Sequence, residues 1–232
     1  MMDHAIQAKP QEACGLVVGK GSKQRLVRAK NLSHEPTKSF DLDPEAWLEV
    51  EDDETVIGIY HSHPQGNAQP SMTDRVGCEA SGVPWHIVTL EGHYTCMQPN
   101  GFVAPYLQRP YVHGVHDCYS IIRDWYKREW QLDLPNFERA YEWWDKGENL
   151  YVKHFASCDF KVIQSQEPQI GDAFFIQIAS PVPNHAAIYI GDGMILHHVQ
   201  GRLSTKDPYG GAWVKHTTHH LRHVSRMEPQ HG

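Results

Sequence analysis

Gly58-Ile59-Tyr60-His61-Ser62-His63-Pro64, continued by Pro70-Ser71-Met72-Thr73-Asp74, decides how the first half of the chain is read. Residues 56–60 are an apolar run of strand composition, and two histidines follow it at i and i+2. On an extended backbone that spacing puts both rings on one face, where they can share one ion. Asp74 stands in the first turn of a helix opened by Ser71, so a second element can add a carboxylate. Two imidazoles and a carboxylate, with one position left for water, is the pattern of a catalytic zinc site. Two plainer readings compete. Ser71 to Asp74 also fits a capping box, and a His-x-His pair arises easily by chance in a chain with 17 histidines.

The 232 residues suffice for one large domain or two small ones, and 40% hydrophobic with 10% aromatic content supports ordinary cores. A net charge of -7 offers no basic field for nucleic acid or an anionic membrane, so neither is expected as a partner. Cysteines stand at 14, 78, 96, 118 and 158, an odd set without a Cys-x-x-Cys pair. This argues against a disulfide framework and for a reducing compartment. No apolar stretch approaches 18 residues and Met1-Met2-Asp3-His4 lacks the character of a signal peptide, so a cytosolic protein without membrane insertion is expected.

Residues 14–18 read as a strand, 19–22 as a turn and 24–29 as its hairpin partner, which places Glu12 at a strand entrance. Asp43-Pro44-Glu45 opens a short helix. After the histidine strand and the helix from Ser71, residues 85–90 and 94–97 read as two more strands. Three prolines between 99 and 110 mark a linker, giving domains 1–104 and 105–232. In the second, Asp117 caps a helix with apolar residues at 121, 122, 125 and 130. Cys118 then falls in the first turn, where free N–H groups and the helix dipole favour a thiolate. Residues 137–155 read as helical, 171–176 as a strand, and 185–190 with 194–197 as a hairpin turning at Gly191-Asp192-Gly193. His216, His219, His220 and His223 read as a C-terminal surface segment and not as a second metal site. The fold class is α+β: a mixed α/β domain, then helices packed on a small antiparallel sheet. A helix bearing a cysteine against a sheet bearing histidines is the layout a Cys/His nucleophile needs.

The set His61-Ser62-His63-Pro64, ten residues, Asp74, with Ser71 three before it and a glutamate in Glu12-Ala13-Cys14-Gly15, resembles the JAMM (MPN-type) metalloprotease signature over about residues 1 to 100. The resemblance implies one Zn2+ on His61, His63 and Asp74, with Glu12 as general base and Ser71 as hydrogen-bond donor to the oxyanion. The bond cleaved would be a peptide or isopeptide. Pro110-Tyr111, Gly114, Asp117-Cys118, and His185 followed twelve residues later by His197 resemble the NlpC-type papain-like peptidases of cell-wall turnover. That resemblance implies Cys118 as nucleophile, His185 as base, His197 as third member, Tyr111 lining the cleft and a peptidoglycan stem peptide as substrate. His198 is the rival for the third place, disfavoured because adjacent strand residues face opposite ways. The chain departs from that family in Tyr119-Ser120, where Ser-Gly is usual, and in a short loop from Gly114 to Asp117.

The two domains in this order resemble the tail tip assembly proteins of lambda-like bacteriophages. The resemblance implies tail tip proteins as partners, and the host cytoplasm during assembly, or the virion tail tip, as location. Two alternatives stand beside it. A deubiquitinating-like isopeptidase or sulfur-carrier processor accounts for the first domain only. A non-enzymatic assembly factor would keep zinc as a structural element.

Overall fold

In a computed structural model that describes residues 1–164 and 167–227, the chain forms two units that divide between Ala104 and Pro105. In the first, helix α1 (Met2–Ala8) precedes strands β1 (Cys14–Lys20), β2 (Lys23–Ala29) and β3 (Thr55–His63), helix α2 (Met72–Ser81), and strands β4 (Trp85–Thr89) and β5 (Tyr94–Met97). The sheet order is β2-β1-β3-β4-β5. Only β3 and β4 pair in parallel, as the crossover through α2 requires. The histidines lie within β3, not beyond its end. His61 pairs with Cys14 on one side and Ile87 on the other, and His63 with Thr89, so ladder bonds hold the backbone that carries the rings.

The core of this unit gathers Leu16, Val18, Val27, Ile59, Cys78 and Trp85. Helix α2 approaches the sheet closely at Gly77, where a Cβ would stand 2.3 Å from the Trp85 ring. Helix α1, too short to show a period in the sequence, buries Ala5 in a small cluster with Val88.

In the second unit, helix α3 (Cys118–Trp130), helix α4 (Leu150–His154), strands β6 (Phe160–Val162), β7 (Ala173–Ile176), β8 (His185–Gly191), β9 (Met194–His197) and β10 (Thr205–Pro208), helix α5 (Ala212–His216) and strand β11 (Thr217–His223) follow in order. The sheet β10-β9-β8-β7-β11-β6 is antiparallel throughout. Ile121, Ile122, Trp125 and Tyr126 of α3 share one core with Ala186, Ile188, Leu196 and Leu221 of the sheet. No helix among the described residues is long and apolar enough to cross a membrane.

Two expectations are corrected. Residues 137–155 are not one helix: Glu142 at φ 53° and Gly147 at φ 81° interrupt it, leaving a 3₁₀ turn over Trp143–Lys146 and the short α4. The histidine-rich tail is a surface segment only at His216, which is exposed at the end of α5; His219, His220 and His223 lie in β11, which runs inside the sheet between β7 and β6. Two of its polar residues meet Asp172, whose carboxylate lies 2.6 Å from His220 Nε2 and accepts two bonds of 2.8 Å from Arg222.

Candidate active sites

Strand β3 and helix α2 bring His61, His63 and Asp74 together. The Nε2 atoms of the two histidines are 3.1 Å apart, and they lie 3.2 and 3.4 Å from Asp74 Oδ1 and Oδ2. It is the one group of three or more potential ligand residues converging on a point among the described residues. His63 Nδ1 donates to the Asn67 carbonyl at 2.8 Å, which leaves the Nε2 lone pair aimed at the cluster. Phe40 stacks on His61 at 4.6 Å and Trp85 meets its edge at 5.6 Å, fixing a ring that is wholly buried.

The capping box and the ligand role of Asp74 turn out to be compatible. Ser71 Oγ accepts from the Asp74 N–H at 3.1 Å, and the Ser71 N–H donates to Asp74 Oδ2 at 2.7 Å, so the cap orients the carboxylate toward the histidines. Burial lowers the His61 pKa. It would raise that of Asp74, yet hydrogen bonds with His61 and His63 hold the carboxyl well below the usual range. Both shifts favour the ligand forms, neutral imidazole at His61 and carboxylate at Asp74, whereas at His63 burial is outweighed by the bonds with Asp74 and the Asn67 carbonyl, which raise its pKa. Glu12, 7% exposed, is pushed up to about 7 by burial, against the pull of His63 and with the repulsion of Asp74. Ser62, to which the sequence assigns no role, is fully buried and accepts from the Ala13 N–H at 2.8 Å, tying the Glu12 segment to β3.

In the second unit, Tyr111, Cys118, Asn184, His185 and His198 line one cleft of about 230 Å³. His185 Nε2 is 3.0 Å from His197 Nδ1, and His197 Nε2 is 3.2 Å from Asp207 Oδ2. The rival, His198, instead bonds the Arg202 carbonyl through Nε2 at 3.1 Å and meets the Tyr111 ring edge-on. Trp213 packs against His197 at 4.6 Å and His185 at 5.8 Å. Cys118 Sγ lies 2.9 Å from the Tyr151 hydroxyl. Neither Asp207, Trp213 nor Tyr151 carries a sequence signal, since each reaches the site from a distant segment.

The expected thiolate is not the form this environment favours. Burial pushes the Cys118 thiol up to about 11, with the Asp117 carboxylate adding to the effect, and burial brings His185 down to about 3. The helix terminus does not offset this, because Asp117 Oδ1 already takes the Tyr119 and Ser120 N–H groups, at 3.1 and 2.8 Å. Both shifts favour a thiol beside a neutral imidazole.

Asp117 is in turn neutralised by Arg139, whose Nε donates at 2.9 Å while its Nη1 donates to the Phe137 carbonyl at 2.8 Å. Both side chains are almost wholly buried. Arg139→Ala leaves a buried carboxylate uncompensated and is expected to destabilise the second unit by about 3–5 kcal/mol, read from the urea denaturation midpoint.

Residues 1–100 match the family of prokaryotic homologs of the JAB domain, and residues 108–222 match the NlpC/P60 family. The chain is therefore a two-domain protein, JAB/MPN-like and then NlpC/P60, both of them peptidase families. It is 37% identical to tail tip assembly protein K of Escherichia phage N15 over 96% of this chain and 92% of that protein. It is 35% identical to the phage lambda protein of the same name over 78% and 89%. The chain belongs to this phage tail tip assembly protein K family. The first domain alone is 29% identical to the desampylase of Haloferax volcanii, over 40% of this chain and 72% of that protein.

Proposed function

We propose that this tail tip assembly protein carries two peptidase sites: a zinc-dependent JAMM-type site for a peptide or isopeptide bond, and a Cys-His-His endopeptidase site for peptidoglycan stem peptides. The observation that carries the first is the spacing of the three donor groups, with the two Nε2 atoms 3.1 Å apart and each 3.2 or 3.4 Å from one of the two Asp74 carboxylate oxygens. Zinc bonds of about 2.0–2.1 Å in a tetrahedron set ligands about 3.3–3.4 Å apart, so the donor set fits this ion. Zinc bound there supplies a Lewis acid for the scissile carbonyl and a charge that favours ionisation of water. Glu12, near neutrality and beside the cluster, takes the proton of the attacking water and passes it to the leaving amine. The Ser71 hydroxyl, whose oxygen accepts from Asp74 N–H, keeps its own hydrogen for the oxyanion. Kinship to a desampylase supports a hydrolytic role for this site over a structural one.

In the second site Cys118 Sγ attacks the carbonyl as its proton passes to His185, which then protonates the leaving amine; a water deprotonated by His185 releases the acyl group from sulfur and restores the thiol. His197 holds the imidazole by the 3.0 Å bond to Nε2. The Cys118 N–H is the candidate oxyanion donor, and Tyr111 lines the cleft where the stem peptide would lie, cut next to a D-amino acid. Tail tip proteins are the partners that the family role implies, with assembly in the host cytoplasm.

One preparation tests the whole reading. About one zinc per molecule is expected by atomic absorption, lost in His61→Ala and in His63→Ala, together with release of soluble peptides from purified peptidoglycan. Zinc retained in the double alanine variant removes the metal assignment, and intact peptidoglycan removes the second substrate.

A further inference from the structure

Two rings and a carboxylate in a row can be proton-ordered in more than one way, and only one order leaves a base for the thiol. An ionised Asp207 can only accept a hydrogen bond, so His197 Nε2, 3.2 Å away, must carry the hydrogen. A neutral His197 then presents a bare Nδ1. His185 Nε2, 3.0 Å from it, must donate, and the remaining nitrogen of His185, Nδ1, is left without a hydrogen. That lone pair is the one available to Cys118, which lines the same cleft. Reversing the order puts a hydrogen on His185 Nδ1 and leaves nothing to take the thiol proton.

We infer that Asp207 is a positioning residue that acts through His197, fixing the tautomers of both rings so that His185 Nδ1 is a base. This rests on the reading of Cys118 as nucleophile. Asp207 is held for the task by β10, where it pairs with Ile195 of β9, two residues before His197. During the step one proton leaves Cys118 Sγ for His185 Nδ1 as the C–S bond forms and the C=O π bond opens, its electron pair passing to the carbonyl oxygen. The imidazolium keeps its Nε2–H bonded to His197. Among the described residues the other titratable or charged groups that bear on the two rings are His198 and Arg202, both unfavourable to added positive charge, which leaves Asp207 the one group among them favouring it at His197.

The Asp207 side chain is 35% accessible, so its replacement tests the relay without opening the core. Ring ¹⁵N shifts of the full chain at pH 8 read the tautomers directly, and mass spectrometry reads the rate of iodoacetamide addition at Cys118. The wild type is expected to show His185 bare at Nδ1. Asp207→Ala should populate the Nδ1–H form and slow alkylation about tenfold, less than the roughly 10⁴-fold cost of misorienting a base that touches its carboxylate directly. The near-isosteric Asp207→Asn, able both to accept and to donate, should give mixed tautomers, and Asp207→Glu should recover part of the rate. A wild-type His185 with its proton on Nδ1, or an Asp207→Ala variant with unchanged shifts and alkylation rate, overturns the inference. Neither readout needs substrate, so a wild type that leaves peptidoglycan intact counts against the proposed function and not against the relay.

Discussion

Replacing Cys118 by alanine is expected to reduce peptide release from peptidoglycan by roughly 10⁴-fold or more, the scale on which losing a covalent nucleophile acts, while the metal content of the first domain stays at its wild-type value. The same thiol should show an unusual pH dependence. A pKa raised to about 11 means that Cys118 is protonated across the neutral range, and its anionic fraction grows about tenfold per pH unit up to that point. Iodoacetamide should therefore modify it slowly at pH 6 and much faster at pH 9, with the exposed Cys96 as the reference for reagent access. Cys118 reacting ahead of Cys96 at pH 6 would show a preformed thiolate and imidazolium, and would reverse the conclusion that proton transfer accompanies attack.

What could be read in the sequence was whatever local geometry encodes. His61 and His63 share a face because a strand repeats every two residues, and Asp74 is aimed by a cap that is written in Ser71 and Asp74 themselves. The Gly191-Asp192-Gly193 turn likewise brings β8 onto β9, and with it His185 to His197. Contacts set by tertiary packing left no such trace. Asp207 approaches His197 only because β10 pairs with β9, and Arg139 reaches Asp117 from a segment whose aromatic residues mimic an amphipathic helix. The upward shift at Cys118, which runs against the expected thiolate, has the same origin. A free helix terminus would stabilise the anion, but the residue that caps this helix takes the N–H groups and adds a negative charge of its own. The tail histidines look solvated in sequence because their counterpart, Asp172, lies far away in the chain.

In the first domain, Glu12→Gln should lower hydrolysis of a susceptible peptide or isopeptide substrate by about 10² to 10⁴-fold with zinc retained. Glutamine keeps the shape of the side chain, and the backbone that places it is anchored independently of the carboxylate. The Glu12 N–H donates to the Pro36 carbonyl at 2.7 Å, Asn31 Nδ2 donates to the Glu12 carbonyl at 3.1 Å, and Ala13 exchanges bonds of 2.8 and 2.9 Å with Ser62. Ser62 stands between the two histidines in β3, so these bonds tie the Glu12 segment to the strand that carries both rings. What the substitution removes is a group that burial has raised to about 7, where it can both accept a proton and give it up near neutral pH. Metal analysis and a cleavage assay on the same sample separate the roles: zinc kept with activity lost places Glu12 beside the ion as a base, whereas loss of zinc together with activity would make it a ligand.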